Sequence, residues 1–400
     1  MKIGYSYWGF LADIKMDKDG NELSTPDGNA FYSWAIIQGL QHAGAEVYQI
    51  MPDRDRHAFH KQGVRNMFRR FCCLDRATAY MKMHKHMYDG IDDWSDVTRE
   101  QLYDIWLRNG IDKLDAILHE WRMLIPGRND VRGKDFQPDY FIQNVLIEFC
   151  AEYDVKLIIF DLDYKLTVEN IRNMPNSGNN VYVLELGYKW KDWPQAYHVE
   201  IPFDYNELCA GSKLLRCSEV KANYKTDLVY IGNRYERDDY IDKYIPSDSD
   251  LDITFYGNWL LDGYNDCVEK WSHINFGQRL QASEIGNVYE KSVCTILLAK
   301  DVYYENGFMT ARLLEALYYG CLPLFPVDYG RDIIEKYAGT NADLLTVRND
   351  REVAEKVQFF RKNVSLRNSI IRDLRYGLKF MDKSFITSKI LEIAGEGNEV

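Results

Sequence analysis

Glu305-Asn306-Gly307-Phe308-Met309-Thr310-Ala311-Arg312-Leu313-Leu314-Glu315-Ala316-Leu317-Tyr318-Tyr319-Gly320-Cys321-Leu322-Pro323-Leu324-Phe325 reads as a glycine loop, a helix over Ala311 to Tyr319, a glycine stop and a short strand. Free backbone N–H groups at a helix start form an anion site. Arg312 falls within one turn of that start, and Glu315 three residues on can share its face. The planar fork of an arginine suits a diphosphate, and a carboxylate suits paired ribose hydroxyls as acceptor. The competing reading is an Arg–Glu pair on a solvated helix face.

Outward from this stretch the chain alternates strands and helices. In the first half, apolar strands are expected at Lys2 to Tyr7, Val47 to Met51, Ala116 to Leu118, Lys156 to Phe160 and Tyr182 to Leu186. Helices are expected at Ala30 to His42 and Phe141 to Tyr153. The pattern pauses near Ile201 to Lys225 and then restarts. Strands follow at Asp227 to Ile231, Ile253 to Tyr256, Cys294 to Leu298 and Leu322 to Phe325, with a long helical tail from Arg351 to about Gly395. This is α/β architecture in two doubly wound units. The expected limits are 1–205 for the first unit, 206–360 for the second and 361–400 for the tail. Residues 53–109 form an insertion without strand signal in the first unit.

Composition bounds the function. The chain has 400 residues, 46% hydrophobic and 28% charged, which is globular and too long for one core. No apolar run is long enough to span a membrane, and the first residues read as a strand rather than a leader. The eight cysteines form no CxxC pair, so a zinc ribbon or disulfide scaffold is not expected and a reducing, cytoplasmic setting is. The net charge of −12 does not exclude a polyanionic partner, because local patches govern steering.

The 305–325 stretch resembles the donor-binding segment of GT-B glycosyltransferases, through Arg312, Leu314-Glu315-Ala316, Gly320 and Pro323. It departs from members with two glutamates seven residues apart, since the first would fall at Gly307, with Glu305 displaced. Leu228 to Arg237 resembles the strand and loop that open the C-terminal half, and Phe276-Gly277-Gln278-Arg279 the loop beside the nucleotide base. The resemblance implies two Rossmann-like domains facing a cleft and a nucleotide-diphosphate sugar, expected to be a UDP-sugar, as co-substrate. It implies donor contacts from Gly232, Asn233, Arg234, Arg237, Gly307, Thr310, Arg312 and Glu315. For Arg234 and Arg237 a solvated turn is the other reading. No cofactor is expected. No metal is expected either, because no DxD lies on the donor side; Asp161-Leu162-Asp163 has that spacing in the other half.

Transfer needs a base near the acceptor hydroxyl, and strand C-terminal ends of the first unit are where to look. Asp27, His119 and Asp161 are the candidates. Each also has a plainer reading, as a helix cap, a structural histidine or a strand-end hydrogen-bond partner. The insertion concentrates positive charge: Arg54, Arg56, Lys61, Arg65, Arg69 and Arg70 stand among Phe59, Phe68, Phe71 and Tyr80, against only Asp53, Asp55 and Asp75 over residues 53–86. Cations interleaved with aromatics suit phosphate tracking and base stacking, so double-stranded DNA is the expected acceptor. Some phage enzymes of the GT-B fold glycosylate hydroxymethylated pyrimidines, and that subclass is the one favoured, acting in the host cytoplasm. Alternatives are transfer to a surface glycan or lipid-linked precursor, and a non-catalytic nucleic-acid-binding protein. The tail cations Arg372, Arg375, Lys379 and Lys383 read as an ordinary solvated helix face.

Overall fold

A computed structural model describes residues 1–6, 29–50, 87–88, 91, 96–121, 138–162, 164–187, 192–212, 223–260, 266–280 and 282–396. Asp27, Asp163 and the basic residues Arg54, Arg56, Lys61, Arg65, Arg69 and Arg70 lie outside the described residues. Among the described residues, two six-stranded parallel sheets organise the chain. The first contains β1 (Lys2–Ser6), β2 (Glu46–Gln49), β3 (Ala116–Glu120), β4 (Lys156–Asp161), β5 (Val181–Leu186) and β6 (Ala196–Val199), in the order β2-β1-β3-β4-β5-β6. The second contains β7 (Thr226–Ile231), β8 (Ile253–Tyr256), β9 (Asn275–Gly277), β10 (Ser292–Ile296), β11 (Leu322–Pro326) and β12 (Thr346–Val347), in the order β12-β11-β10-β7-β8-β9.

The strands are near-continuous apolar runs because both faces of a parallel sheet are covered. Leu157 and Ile159 of β4 pack with Ile117 and Trp106 on one face, while Ile158 and Phe160 join Leu118 and Ile36 on the other. That second cluster continues into the core of the C-terminal half, so one apolar body spans both sheets. Among the described residues, no helix is long and apolar enough to cross a membrane.

Three strands carry no strong periodic signal and are not evident in the sequence: β6, β9 and β12, which have four, three and two residues. The tail also differs from the expectation of one long helix. It is three helices, Asp350–Lys362, Val364–Gly377 and Lys383–Gly395, with a 3-10 turn at Leu378–Met381. At that turn the chain recrosses to the first half: Lys383 N–H donates to the Phe203 carbonyl at 2.7 Å, and the last helix packs on Asn29–His42. The tail cations Arg375 and Lys383 do not form a solvated face, because the fold spends them internally. Arg375 donates to the Leu317 and Tyr318 carbonyls at 2.8 and 3.0 Å, and Lys383 pairs with Asp204 at 2.5 Å.

Candidate functional site

The second sheet has the strand order of a dinucleotide-binding domain, and the order reverses between β7 and β10. Ligands of open α/β sheets bind outside the strand carboxyl ends at that reversal. The groups that meet there are Gly232 after β7, Leu298 after β10, and Arg312 at the start of the helix Arg312–Tyr319. This helix begins without a side-chain cap and stops at Gly320, whose φ of 77° is open to glycine at little cost.

Arg312 is partly exposed, with one nitrogen tied down and the rest uncommitted. Its Nη1 donates to the Leu298 carbonyl at 2.7 Å, and its guanidinium lies 4.8 Å over the Tyr230 ring. Nε and Nη2 have no hydrogen-bond partner among the described residues. A Cβ on Gly232 would sit 2.9 Å from Arg312 Nε, so glycine is needed for this approach. Around Arg312 stand Tyr230, Tyr289 and Tyr329, each nearly or fully buried and each with a hydroxyl that makes no hydrogen bond among the described residues. Arg237, 5% exposed, is clamped by its Nη1 to the Asn233 and Tyr235 carbonyls, while its buried Nε is unbonded among the described residues. Orphaned donors in such number are unusual in a protein interior, where buried polar groups are nearly always paired.

Glu315 sits one turn along the helix. Its carboxylate has no ion pair or hydrogen bond among the described residues. Burial pushes the carboxyl up to about 7, against the pull of the Arg312 charge. A cation with free N–H groups and a free acceptor thus lie side by side at the sheet reversal. Thr310 is buried beside them, with its hydroxyl 3.4 Å from Arg312 Nη1, and Gly307 turns the preceding loop at a φ of 64°.

Arg234 is placed differently. It chelates Asp238 at 2.9 and 2.6 Å, also pairs with Asp266, and lies over Trp271. Its charge is already neutralised by two carboxylates, so it fastens the loop after β7. Asn233 contributes a carbonyl to Arg237. The sequence reading missed the three tyrosines, which come from a strand, a helix and a 3-10 turn far apart in the chain; the only signal was a count of twenty-nine tyrosines.

The first sheet reverses between β1 and β3, and there a buried polar cluster forms. His119 and Glu120 belong to β3 itself rather than following it. The imidazole Nδ1 is 2.8 Å from Ser6 Oγ and Nε2 is 2.8 Å from Gln143 Oε1. Glu120 accepts from the Tyr5 and Ser33 hydroxyls at 2.7 and 2.6 Å. Asp161 ends β4 and accepts from the backbone N–H groups of Lys165 and Leu166, both at 3.2 Å. His119 and Asp161 are therefore engaged within the fold. Among the described residues, no three His, Cys, Asp or Glu side chains converge as for a metal ion.

No protein-family model and no curated protein matches the sequence. Solved structures do match in shape. T4 phage β-glucosyltransferase in complex with UDP-glucose aligns over 98% of this chain and 99% of that one, with a TM-score of 0.58 and 13% identity. The same enzyme with UDP and Mn²⁺ gives a TM-score of 0.59 and 14% identity, with 98% and 99% covered. Anabaena HepE in complex with UDP-glucose gives 0.54 and 11%, with 98% of each chain covered. End-to-end coverage at this level of identity is a likeness of fold, and it agrees with the two parallel sheets and their strand orders: the chain has the GT-B fold.

Proposed function

We propose that the protein is a glycosyltransferase that takes a sugar from a UDP-sugar and attaches it to a hydroxyl of modified DNA, a hydroxymethylated pyrimidine. The observation that carries the donor half is the uncommitted Arg312 beside the unpartnered Glu315 at the β7–β10 reversal. Arg312 and the uncapped helix start would hold the diphosphate, with Arg237 adding charge, and Glu315 would accept from the ribose hydroxyls. In transfer, the acceptor oxygen bonds to the anomeric carbon as the bond from that carbon to the phosphate oxygen breaks. The acceptor proton passes to a base, and the leaving diphosphate is stabilised by the Arg312 charge. The base is sought among Asp27, His119 and Asp161; the hydrogen bonds of His119 to Ser6 and Gln143 would fix its ring, and Asp161 accepts from the Lys165 and Leu166 N–H groups.

UDP-glucose in the T4 and Anabaena neighbours supports a UDP-sugar donor. The T4 neighbour is a DNA-modifying enzyme, which together with the basic segment 53–86 supports the DNA acceptor. The test is incubation with UDP- and GDP-sugars and hydroxymethylated or plain duplex, read by nucleoside mass spectrometry. A new hexosyl nucleoside only with the hydroxymethylated duplex is the expected result. Turnover of a UDP-sugar on glycan acceptors with none on this DNA would move the acceptor to a surface glycan or lipid-linked precursor. DNA binding without binding of any nucleotide sugar would leave a non-catalytic nucleic-acid-binding protein.

A further inference from the structure

The loop after β4 reaches from the first half into the donor half. Asp161 anchors it through the Lys165 and Leu166 N–H groups, and Tyr164 adopts a φ of 57°, a conformation that L side chains seldom take. The Tyr164 ring lies against two rings of the other half, Tyr303 at 6.2 Å and Phe308 at 5.9 Å between centroids. Those two meet edge to face at 4.8 Å, and the Phe308 N–H donates to the Tyr303 carbonyl at 2.8 Å, closing the loop that runs through Gly307 into Thr310 and Arg312. Against the hydroxyl end of Tyr164 lies Gly187, directly after β5, with a φ of 109°. A Cβ there would overlap the Tyr164 hydroxyl and come within 2.6 Å of the Asn306 carbonyl. Beside the donor motif the two halves thus touch at the Tyr164 ring and at Gly187, while Glu200 with Lys336 and Tyr337, and the tail, join them elsewhere.

We infer that Tyr164 is a positioning residue: its ring, packed on Tyr303 and Phe308, sets the separation of the two halves at which the acceptor hydroxyl meets the bound donor. The inference rests on the donor site proposed above. It gives Asp161 a role as the anchor of the Tyr164 loop. A group acting through geometry changes turnover more than ground-state binding, because reacting atoms displaced by about 1 Å lose roughly a hundredfold in rate.

The experiment compares Tyr164→Ala, Tyr164→Phe and Gly187→Ala in the full chain, after circular dichroism has confirmed folding. UDP affinity is measured by calorimetry, kcat at saturating substrates, and the radius of gyration by X-ray scattering without ligand. Tyr164→Ala is expected to bind UDP within about twofold of wild type while kcat falls about 10- to 100-fold. Tyr164→Phe, which keeps the ring, should restore kcat. Gly187→Ala should reproduce the loss and enlarge the radius of gyration. The inference is overturned if Tyr164→Ala keeps wild-type kcat and dimensions, if its UDP affinity and kcat fall together, or if Tyr164→Phe is as impaired as Tyr164→Ala. Wild-type protein that binds no UDP would instead overturn the donor reading. The scattering of Tyr164→Ala and Gly187→Ala then still decides whether this ring holds the halves together.

Discussion

Loss of solvation at the helix start pushes the half-buried Glu315 carboxyl up to about 7, with only the Arg312 charge pulling the other way. A folded-state value of about 7, above the ordinary 4.5, means that this group favours the fold at low pH and that the contribution is lost as pH rises through 7. Glu315→Gln should therefore leave stability unchanged near pH 4 and raise it at pH 8, by up to roughly 3 kcal/mol, in urea titrations. Donor binding should respond in the opposite sense. If ribose hydroxyls donate to the ionised carboxylate as proposed, UDP-sugar affinity should fall as pH drops below about 7, and Glu315→Gln should bind weakly with a flat profile. A wild-type profile already flat between pH 6 and 8 would remove Glu315 from the nucleoside. Arg312→Ala should cost about 1.5–3 kcal/mol of donor affinity in calorimetry, the worth of a charge-assisted hydrogen bond, without loss of fold. These two residues could be read in the sequence because three-residue spacing on one helix brings them together whatever the tertiary packing. Arg234 could not be read as fully: Asp238 at i+4 was visible, but Asp266, the partner that completes its neutralisation, is thirty-two residues away and arrives only through the fold.

The helix that carries Arg312 and Glu315 is held from its far end by the tail. Arg367, 1% exposed, donates to the carbonyls of Val293 at 2.7 Å, Ser292 at 3.0 Å and Gly320 at 2.8 Å, so a single guanidinium ties the end of this helix to β10. Arg375 bonds the last-turn carbonyls of Leu317 and Tyr318, where a cation also suits the helix dipole. Arg367→Met should strand three carbonyls and destabilise the protein by roughly 3 kcal/mol or more, measured by urea unfolding. A change below about 1 kcal/mol would mean that water takes over those carbonyls. Strands and helices of this half were readable where apolar runs are long, as in Leu228 to Ile231 and Leu313 to Leu317. The breaks in the tail were not. Its apolar periodicity carries through Asn363 and Leu378 to Met381, and the chain turns there because Phe203 and Asp204 offer main-chain and ionic partners. Such partners belong to tertiary structure and leave no local mark.

At the scale of the molecule, the tail closes the two halves together and in doing so withdraws two of its four cations, Arg375 and Lys383, from the surface, while Lys379 stays exposed. Arg375 faces the helix end, Lys383 pairs with Asp204 and donates to Gln38 at 2.6 Å, and the last helix lies on the first. Lys156 of β4 in turn donates to the Ile393 and Ala394 carbonyls at that helix's end. In a chain of net charge −12, a polyanion needs a local basic patch, and the proposal of a DNA acceptor rests on the basic segment 53–86. Its cations can be counted in the sequence, which makes the proposal quantitative. Replacing Arg65, Arg69 and Arg70 together by Gln should weaken DNA binding while leaving UDP-sugar affinity as in wild type, because the proposed donor groups lie in the other half. Each phosphate that is no longer neutralised lowers the slope of log affinity against log salt by about 0.9, so three such phosphates change it by about 2.7. Plain duplex should weaken as much as hydroxymethylated duplex, since the phosphates carry no base information. The hydroxymethyl group should matter only for turnover, once the target base is out of the stack and its hydroxyl can approach the donor. An unchanged salt slope in the triple variant would separate the basic segment from DNA, and with it the acceptor from the donor chemistry proposed independently for Arg312 and Glu315.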